Sequence, residues 1–189
     1  PDGIPSAPMG WTGYGWRFHF PQDISYIHPA LLRLGHTDLC RSIVEFYRRT
    51  LDVMEQNTRR IYGGGGGMWA WEDPISGKPD LLTDPANAPN PFQFEIHNAA
   101  YPARMAFETA RVLHDPAWTR EVALPVIRAS AEFFASHLVR EENGRLSVHV
   151  TPSMSQDEYA VPGQKNYLCA LYSARYVFAA AAACGLTEY

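Results

Sequence analysis

Apolar residues recur at intervals of three and four through Leu39, Ile43, Phe46, Tyr47, Leu51 and Met54, and Arg41, Glu45, Arg48, Arg49, Asp52 and Glu55 supply much of the opposite face. That spacing puts one apolar stripe on a helix and predicts an amphipathic helix over residues 38–60. Gly35-His36-Thr37 reads as a tight turn before it, with Thr37 as N-cap and Asp38 at the positive helix end. The preceding helix is expected to be capped by Asp23 or Ser25 and to run to Leu34, its ordered part after Pro29. A third helix is expected over residues 98–113. His114-Asp115-Pro116 then makes a turn, with Asp115 as N-cap and Pro116 at the first helical position. Trp118, Val122, Ile127, Phe133 and Phe134 carry a fourth helix to about residue 138, kinked at Pro125. Glu141-Glu142-Asn143-Gly144 predicts a turn, and residues 145–150 a short β-strand or one arm of a hairpin. The last helix, about 166–184, is apolar nearly all round, with Arg175 its one charge. Such a helix is expected to be enclosed on all sides, by neighbours that residues 1–189 do not contain, and Gly185 ends it.

The order repeats: helix, tight turn, helix, long loop. Antiparallel helical hairpins are the natural unit, so the fold class is all-α. With the tight turns near Gly35, His114 and Gly185 at one end, the long loops must gather at the other. These are the aromatic segments around Trp11 and Trp71, the Glu95–His97 segment and the polar stretch around Glu158. The glycines at 63–67 hold neither helix nor strand alone. They also lack the following Lys-Ser/Thr of a phosphate loop, so a nucleotide site is rejected.

Composition narrows the partners. Apolar residues at 46% and charged residues at 19% describe a globular chain. A net charge of -4 with no basic block argues against nucleic acid. No apolar run approaches the roughly 18–20 residues of a membrane span, so no membrane partner is expected. Aromatics at 13%, with 5 Trp and 10 Tyr, suit stacking on sugar rings as well as a large core. Trp69 and Trp71 are open to either use. Cys40, Cys169 and Cys184 have no metal-like spacing and read as free thiols in apolar surroundings. His19, His28 and His36 show no ligand spacing either, so neither a metal nor a cofactor is expected.

Chemistry concentrates in the loops. Asp157 and Glu158 sit side by side between the strand-like run and the apolar helix. A carboxylic acid delivered against aromatics has its charged form disfavoured and can stay protonated near neutral pH. The same pair also reads as solvated surface. Asp23, Trp71, Glu72, His97, Asn98, Lys165 and Asn166 are side chains able to bind vicinal hydroxyls or to cover a pyranose face.

The order of these motifs resembles the six-hairpin glycosidases of the (α/α)6 barrel fold. It is most similar to glycoside hydrolase family 65 and its relatives, the disaccharide phosphorylases and acid trehalases. The carrying segments are Phe20-Pro21-Gln22-Asp23, Trp71-Glu72-Asp73, Glu95-Ile96-His97-Asn98, Gln156-Asp157-Glu158-Tyr159 and Lys165-Asn166-Tyr167. The resemblance implies that Glu158 is the general acid of an inverting enzyme acting on an oligosaccharide or glycoside. Asp23, Trp71, Glu72, His97, Asn98, Asp157, Lys165 and Asn166 would contact the sugar. It implies that residues 1–189 make about two and a half hairpins of a catalytic domain, whose remaining C-terminal part supplies the base or a phosphate site. Alternatives of the same architecture are a disaccharide phosphorylase, a sugar-binding relative without catalysis, and an epimerase or lyase leaning on histidines.

Overall fold

Two of the three tight turns close by the same local device. After the first helix, α1 (Pro21–Arg33), Leu34 is the C-cap and Gly35 takes φ +82°. His36 N–H then reaches back to Leu31 O at 2.9 Å. At the end of α6 (Leu168–Ala183), Gly185 also has φ +82°, and Leu186 N–H reaches Ala181 O at 2.9 Å. Both are left-handed caps that satisfy the last carbonyls of a helix, a conformation glycine adopts without a Cβ penalty. The middle turn ends α3 (Ala100–Leu113) on His114 at φ 50°, and Asp115 then caps α4 (Pro116–Trp118) by accepting from Trp118 N at 3.0 Å.

The computed structural model describes residues 18–71, 73–74, 95–149 and 165–189. It is all-α with one small antiparallel hairpin and a two-residue strand pair. Helix α2 (Thr37–Tyr62) runs back along α1. A 3-10 turn (Ile96–Ala99) leads into α3. Helical backbone then continues without a break from α4 through a π segment (Thr119–Ala123), α5 (Leu124–Phe133) and a second π segment (Phe134–Leu138). Strands β1 (Phe18–His19) and β2 (Asp73–Pro74) pair antiparallel, with His19 opposite Asp73. Strands β3 (Val139–Glu142) and β4 (Arg145–Val148) form a hairpin over Asn143 and Gly144, at φ 53° and 75°. Two central residues at positive φ make the tight hairpin turn that suits the twist of the strands.

The helices lie in two layers. Helices α1, α3 and α6 pack side by side, and α2 and α5 pack behind them. The contact between layers is built from large side chains of α2 and α5 (Ile43, Tyr47, Met54, Ile127, Phe133) against alanines of α3 and α6 (Ala103, Ala106, Ala170, Ala174, Ala181), all buried. Small residues on one side let bulky ones on the other fill the gap.

Several local expectations are corrected. Helix α1 starts at Pro21 with Phe20 as N-cap, not at Asp23 or Ser25, and passes through Pro29. Proline at the first helical position costs no hydrogen bond, which is why the start moves forward. Thr37 is the first residue of α2, and His36 occupies the cap position without a side-chain bond. The disturbance expected at Pro125 takes the form of the π segment just before it. In an α-helix residue 125 would donate to Glu121 O. Pro125 has no N–H, and Arg48 Nε donates to that carbonyl instead at 3.2 Å. Strands β3 and β4 make the hairpin that the sequence offered as an alternative to a lone strand, and the expected helix end at residue 138 passes directly into β3. Among the described residues helix α6 is covered on one side: Leu168 and Tyr172 on the other are 70% and 64% exposed, the face for which the sequence expects further neighbours. Its alanine face packs on α3 and α5, and among the described residues nothing covers the other side.

The glycine run is a packing device. Gly63 ends α2 at φ +81°. Gly67 N–H donates to Ala129 O at 2.9 Å, and His137 Nε2–H donates to Gly65 O at 2.9 Å. A Cβ on Gly66 would lie 2.2 Å from Phe133 N and 2.7 Å from Ala129 O. The loop therefore lies backbone to backbone on α5.

Candidate active site

Because the tight turns share one end, α1, α3 and α6 all present their N-termini at the other. Helix α1 brings Gln22, Asp23 and Tyr26; the 3-10 turn brings His97 and Asn98; Asn166 and Tyr167 precede α6. The 3-10 turn packs on both α3 and α6, and its His97 reaches Gln22 of α1.

Around the 3-10 turn the polar groups form one chain. Gln22 Nε2 donates to the Tyr26 hydroxyl at 2.9 Å, which turns the amide oxygen toward α3. That oxygen, Gln22 Oε1, lies 3.3 Å from His97 Nε2. Glu95 Oε2 lies 3.5 Å from the same nitrogen. Two oxygen acceptors flank Nε2, so Nε2 carries the hydrogen. Asn98 Nδ2 donates to Glu95 Oε2 at 2.9 Å, and Asn98 Oδ1 is buried without a hydrogen-bond partner among the described residues. Glu95, His97 and Asn98 are 2%, 1% and 0% exposed, so this polar knot sits beneath the rim. Tyr26 and Asp23 are exposed at the surface above it.

Aromatic rings wall the same end. The Trp71 ring meets Phe20 edge to face at 4.9 Å, and the β1–β2 pair holds that loop beside the start of α1. Tyr101 stands one turn below His97, with ring centres 5.9 Å apart, and faces Tyr26 across the α1–α3 seam at 6.5 Å. Burial, then the Tyr26 hydroxyl, the Cys169 thiol and the Glu95 carboxylate, pushes the Tyr101 phenol above its usual range. Trp69 belongs to the core instead: it is fully buried, edge-on to Tyr47 at 5.8 Å, and donates Nε1–H to Thr50 Oγ1 at 3.3 Å.

Lys165 and Asn166 act on the hairpin. The Lys165 ammonium pairs with the Glu142 carboxylate, and Lys165 bridges to His149 in antiparallel register. That bond, with His149 adding, holds the Glu142 carboxyl below the usual carboxylate range. Asn166, at φ 63°, donates its backbone N–H to Val148 O at 2.8 Å and accepts Val148 N–H on Oδ1 at 3.0 Å. The chain thus leaves after His149 and returns at Lys165 beside the start of α6. Glu72, Asp157 and Glu158 lie outside the described residues.

Below the rim, the seam between α3 and α6 opens into a groove of about 240 Å³ lined by Tyr101, Arg104, Glu108, Tyr172, Ser173 and Tyr176. Glu108 accepts from Arg104 Nε at 3.0 Å and from the Tyr176 hydroxyl at 3.4 Å. The buried His28 bonds Thr109 Oγ1 through Nε2 at 2.9 Å, and its Nδ1 lies 3.7 Å from Glu108 Oε2. Burial alone would raise the Glu108 carboxyl, but His28 and Arg104 together outweigh it and hold the group below its ordinary value of 4.5. A carboxyl depressed on folding contributes stability above its unfolded value, lost as pH falls through the folded one. Wild type should therefore exceed Glu108→Gln in urea midpoint at pH 7, and the gap should be smaller at pH 3. An equal gap at both pH values would show that the charge plays no part.

The sequence reading passed over Gln22, Tyr26, Glu95 and Tyr101 as site residues. Gln22 and Tyr26 lie one turn apart on α1, and Glu95 lies three residues before Asn98, spacings that put each pair on one face. All three cysteines are free thiols, and burial pushes Cys40 up to about 11. Among the described residues no group of three His, Cys, Asp or Glu side chains is placed to hold a metal, and no helix is long and apolar enough to cross a membrane.

No family model matches the chain. It is 30% identical over 155 residues to a protein named kojibiose hydrolase from Flavobacterium johnsoniae, covering 82% of this chain and 22% of that protein. A second protein of that name, from Mucilaginibacter mallensis, is 30% identical over 155 residues with the same coverage, 82% and 22%. The chain spans about a fifth of the length of these curated relatives. Both similarities relate it to glycoside hydrolases.

Proposed function

We propose that the whole protein is an inverting glycoside hydrolase of the family 65 type, acting on a disaccharide such as kojibiose. Residues 1–189 would then be about two and a half hairpins of its (α/α)6 catalytic domain. Glu158 is the general acid that protonates the glycosidic oxygen as the bond breaks. A carboxylate from outside this chain is the base, roughly 6.5–9.5 Å away with the attacking water between them. His97 and Asn98, with Asp23, Glu72 and Asp157, meet sugar hydroxyls, and Trp71 covers the apolar face of a ring. Lys165 and Asn166 join them at the return of the segment that carries Glu158.

One observation carries this reading. In a chain similar to two kojibiose hydrolases, the polar knot of Gln22, His97, Glu95 and Asn98 lies at the shared N-terminal end of α1, α3 and α6 beside Trp71, Phe20 and Tyr101. The anchored start and end of the 150–164 segment lie at that end too, and Glu158 is nine residues in sequence from His149 and seven from Lys165, seven extended residues spanning on the order of 25 Å.

The test is incubation of the full-length protein with kojibiose, with NMR following the anomer of the first glucose released. The expected result is cleavage without added phosphate, giving the anomer opposite to the bond broken. Formation of a sugar phosphate only with inorganic phosphate would make the protein a phosphorylase. Retention would overturn the inverting mechanism, and no turnover of kojibiose or other disaccharides would overturn the hydrolase reading.

A further inference from the structure

We propose that Glu95 is a positioning residue for the sugar site, setting both His97 and Asn98 without itself meeting the substrate. The inference rests on the reading of this rim as the place where the sugar binds. Glu95 is a carboxylate taken almost wholly out of water, 2% exposed, at the entry to α3. A buried carboxylate is costly unless its oxygens are used, so its retention beneath a rim needs an explanation. One oxygen, Oε2, takes both contacts: 2.9 Å to Asn98 Nδ2 and 3.5 Å to His97 Nε2.

Each contact fixes something the neighbour cannot fix alone. An asparagine amide can turn over, exchanging its donor and acceptor ends. The bond from Nδ2 to Glu95 pins the donor inward and leaves Oδ1 as the acceptor for a donor from outside this cluster. An imidazole can carry its hydrogen on either nitrogen. With Glu95 Oε2 on one side and Gln22 Oε1 on the other, the hydrogen is held on Nε2. Glu95 therefore selects one amide orientation and one tautomer, and it ties the start of α3 to α1 through His97 and Gln22.

The carboxylate oxygen can be removed with or without the volume. In Glu95→Gln an amide oxygen can stand where Oε2 stands; in Glu95→Met the bulk remains and no oxygen does. In the full-length enzyme, Glu95→Gln should keep kcat/KM for kojibiose within about fivefold, and Glu95→Met should lose about 100-fold, the scale of a misplaced binding group. A double variant, Glu95→Met with His97→Ala, should lose far less than the product of the two single losses, because His97 is the group through which much of the effect passes. Glu95→Met as active as Glu95→Gln, or losses that multiply, would reduce Glu95 to packing. Crystal structures of the two variants give a readout independent of turnover: the Asn98 amide and the His97 ring should stay in place with Gln and turn with Met. Unmoved side chains in the Met variant overturn the proposal. A wild-type protein that cleaves no disaccharide would sink the hydrolase reading, and the crystallographic comparison would still decide whether Glu95 sets its neighbours.

Discussion

Replacing Gly66 by alanine should cost about 3 kcal/mol or more of folding stability. Two effects add. Gly66 sits at φ +83°, where a Cβ costs roughly 1–2 kcal/mol. The added carbon would also lie 2.2 Å from Phe133 N and 2.7 Å from Ala129 O, which are backbone atoms of α5 that cannot swing aside. Separating the loop from the helix breaks the Gly67 N–H bond to Ala129 O and the His137 bond to Gly65 O. It also displaces the chain leading to Met68, whose backbone N–H donates to the buried Thr58 hydroxyl at 2.9 Å, and to the core residue Trp69. Gly63→Ala is the internal comparison. Its φ is +81°, yet no atom lies within 4 Å of the added carbon, so it should carry only the conformational cost. Denaturant unfolding of the two variants separates conformational strain from collision. Equal losses would mean that the close approach to α5 is not what the glycine serves.

The contrast between these two glycines shows where sequence reading stops. Gly35, Gly185 and the Asp115-Pro116 pair were legible because each acts within its own turn, and the structure puts a helix end or start at every one. Gly66 was not, since its requirement comes from a helix more than sixty residues further on. The same limit hid His28 and Thr109, 81 residues apart and bonded across the α1–α3 seam. The segments of the candidate site were visible as polar islands, but the link from Gln22 to His97, 75 residues apart, was not. Which face of α6 packs within residues 1–189 was hidden for a physical reason too. Composition alone cannot tell an alanine face that packs from an aromatic face that does not, and Ala174 is buried while Tyr172, two residues away, is exposed.

Changing Glu158 to Gln in the full-length protein should lower kcat for kojibiose about 1,000-fold while leaving KM within a few-fold, because general acid catalysis contributes about 10²–10⁴ to the rate. Glutamine keeps the shape and the hydrogen-bond reach but has no proton to give as the glycosidic bond breaks. The leaving group decides the matter. A glucosyl fluoride departs without protonation, so the variant should cleave it at close to the wild-type rate, the water-activating base being untouched. The pH profile supplies the sign. A general acid must enter protonated, so on the proposed reading wild-type activity on kojibiose should fail as pH rises through the value of that group, and the variant should lack this limb. Asp157→Asn should keep kcat and the limb, its loss falling on KM as expected of a group that only binds a hydroxyl. If the fluoride is cleaved as poorly as the disaccharide, Glu158 serves folding or binding rather than proton donation. If the loss of kcat falls on Asp157→Asn instead, the acid is its neighbour.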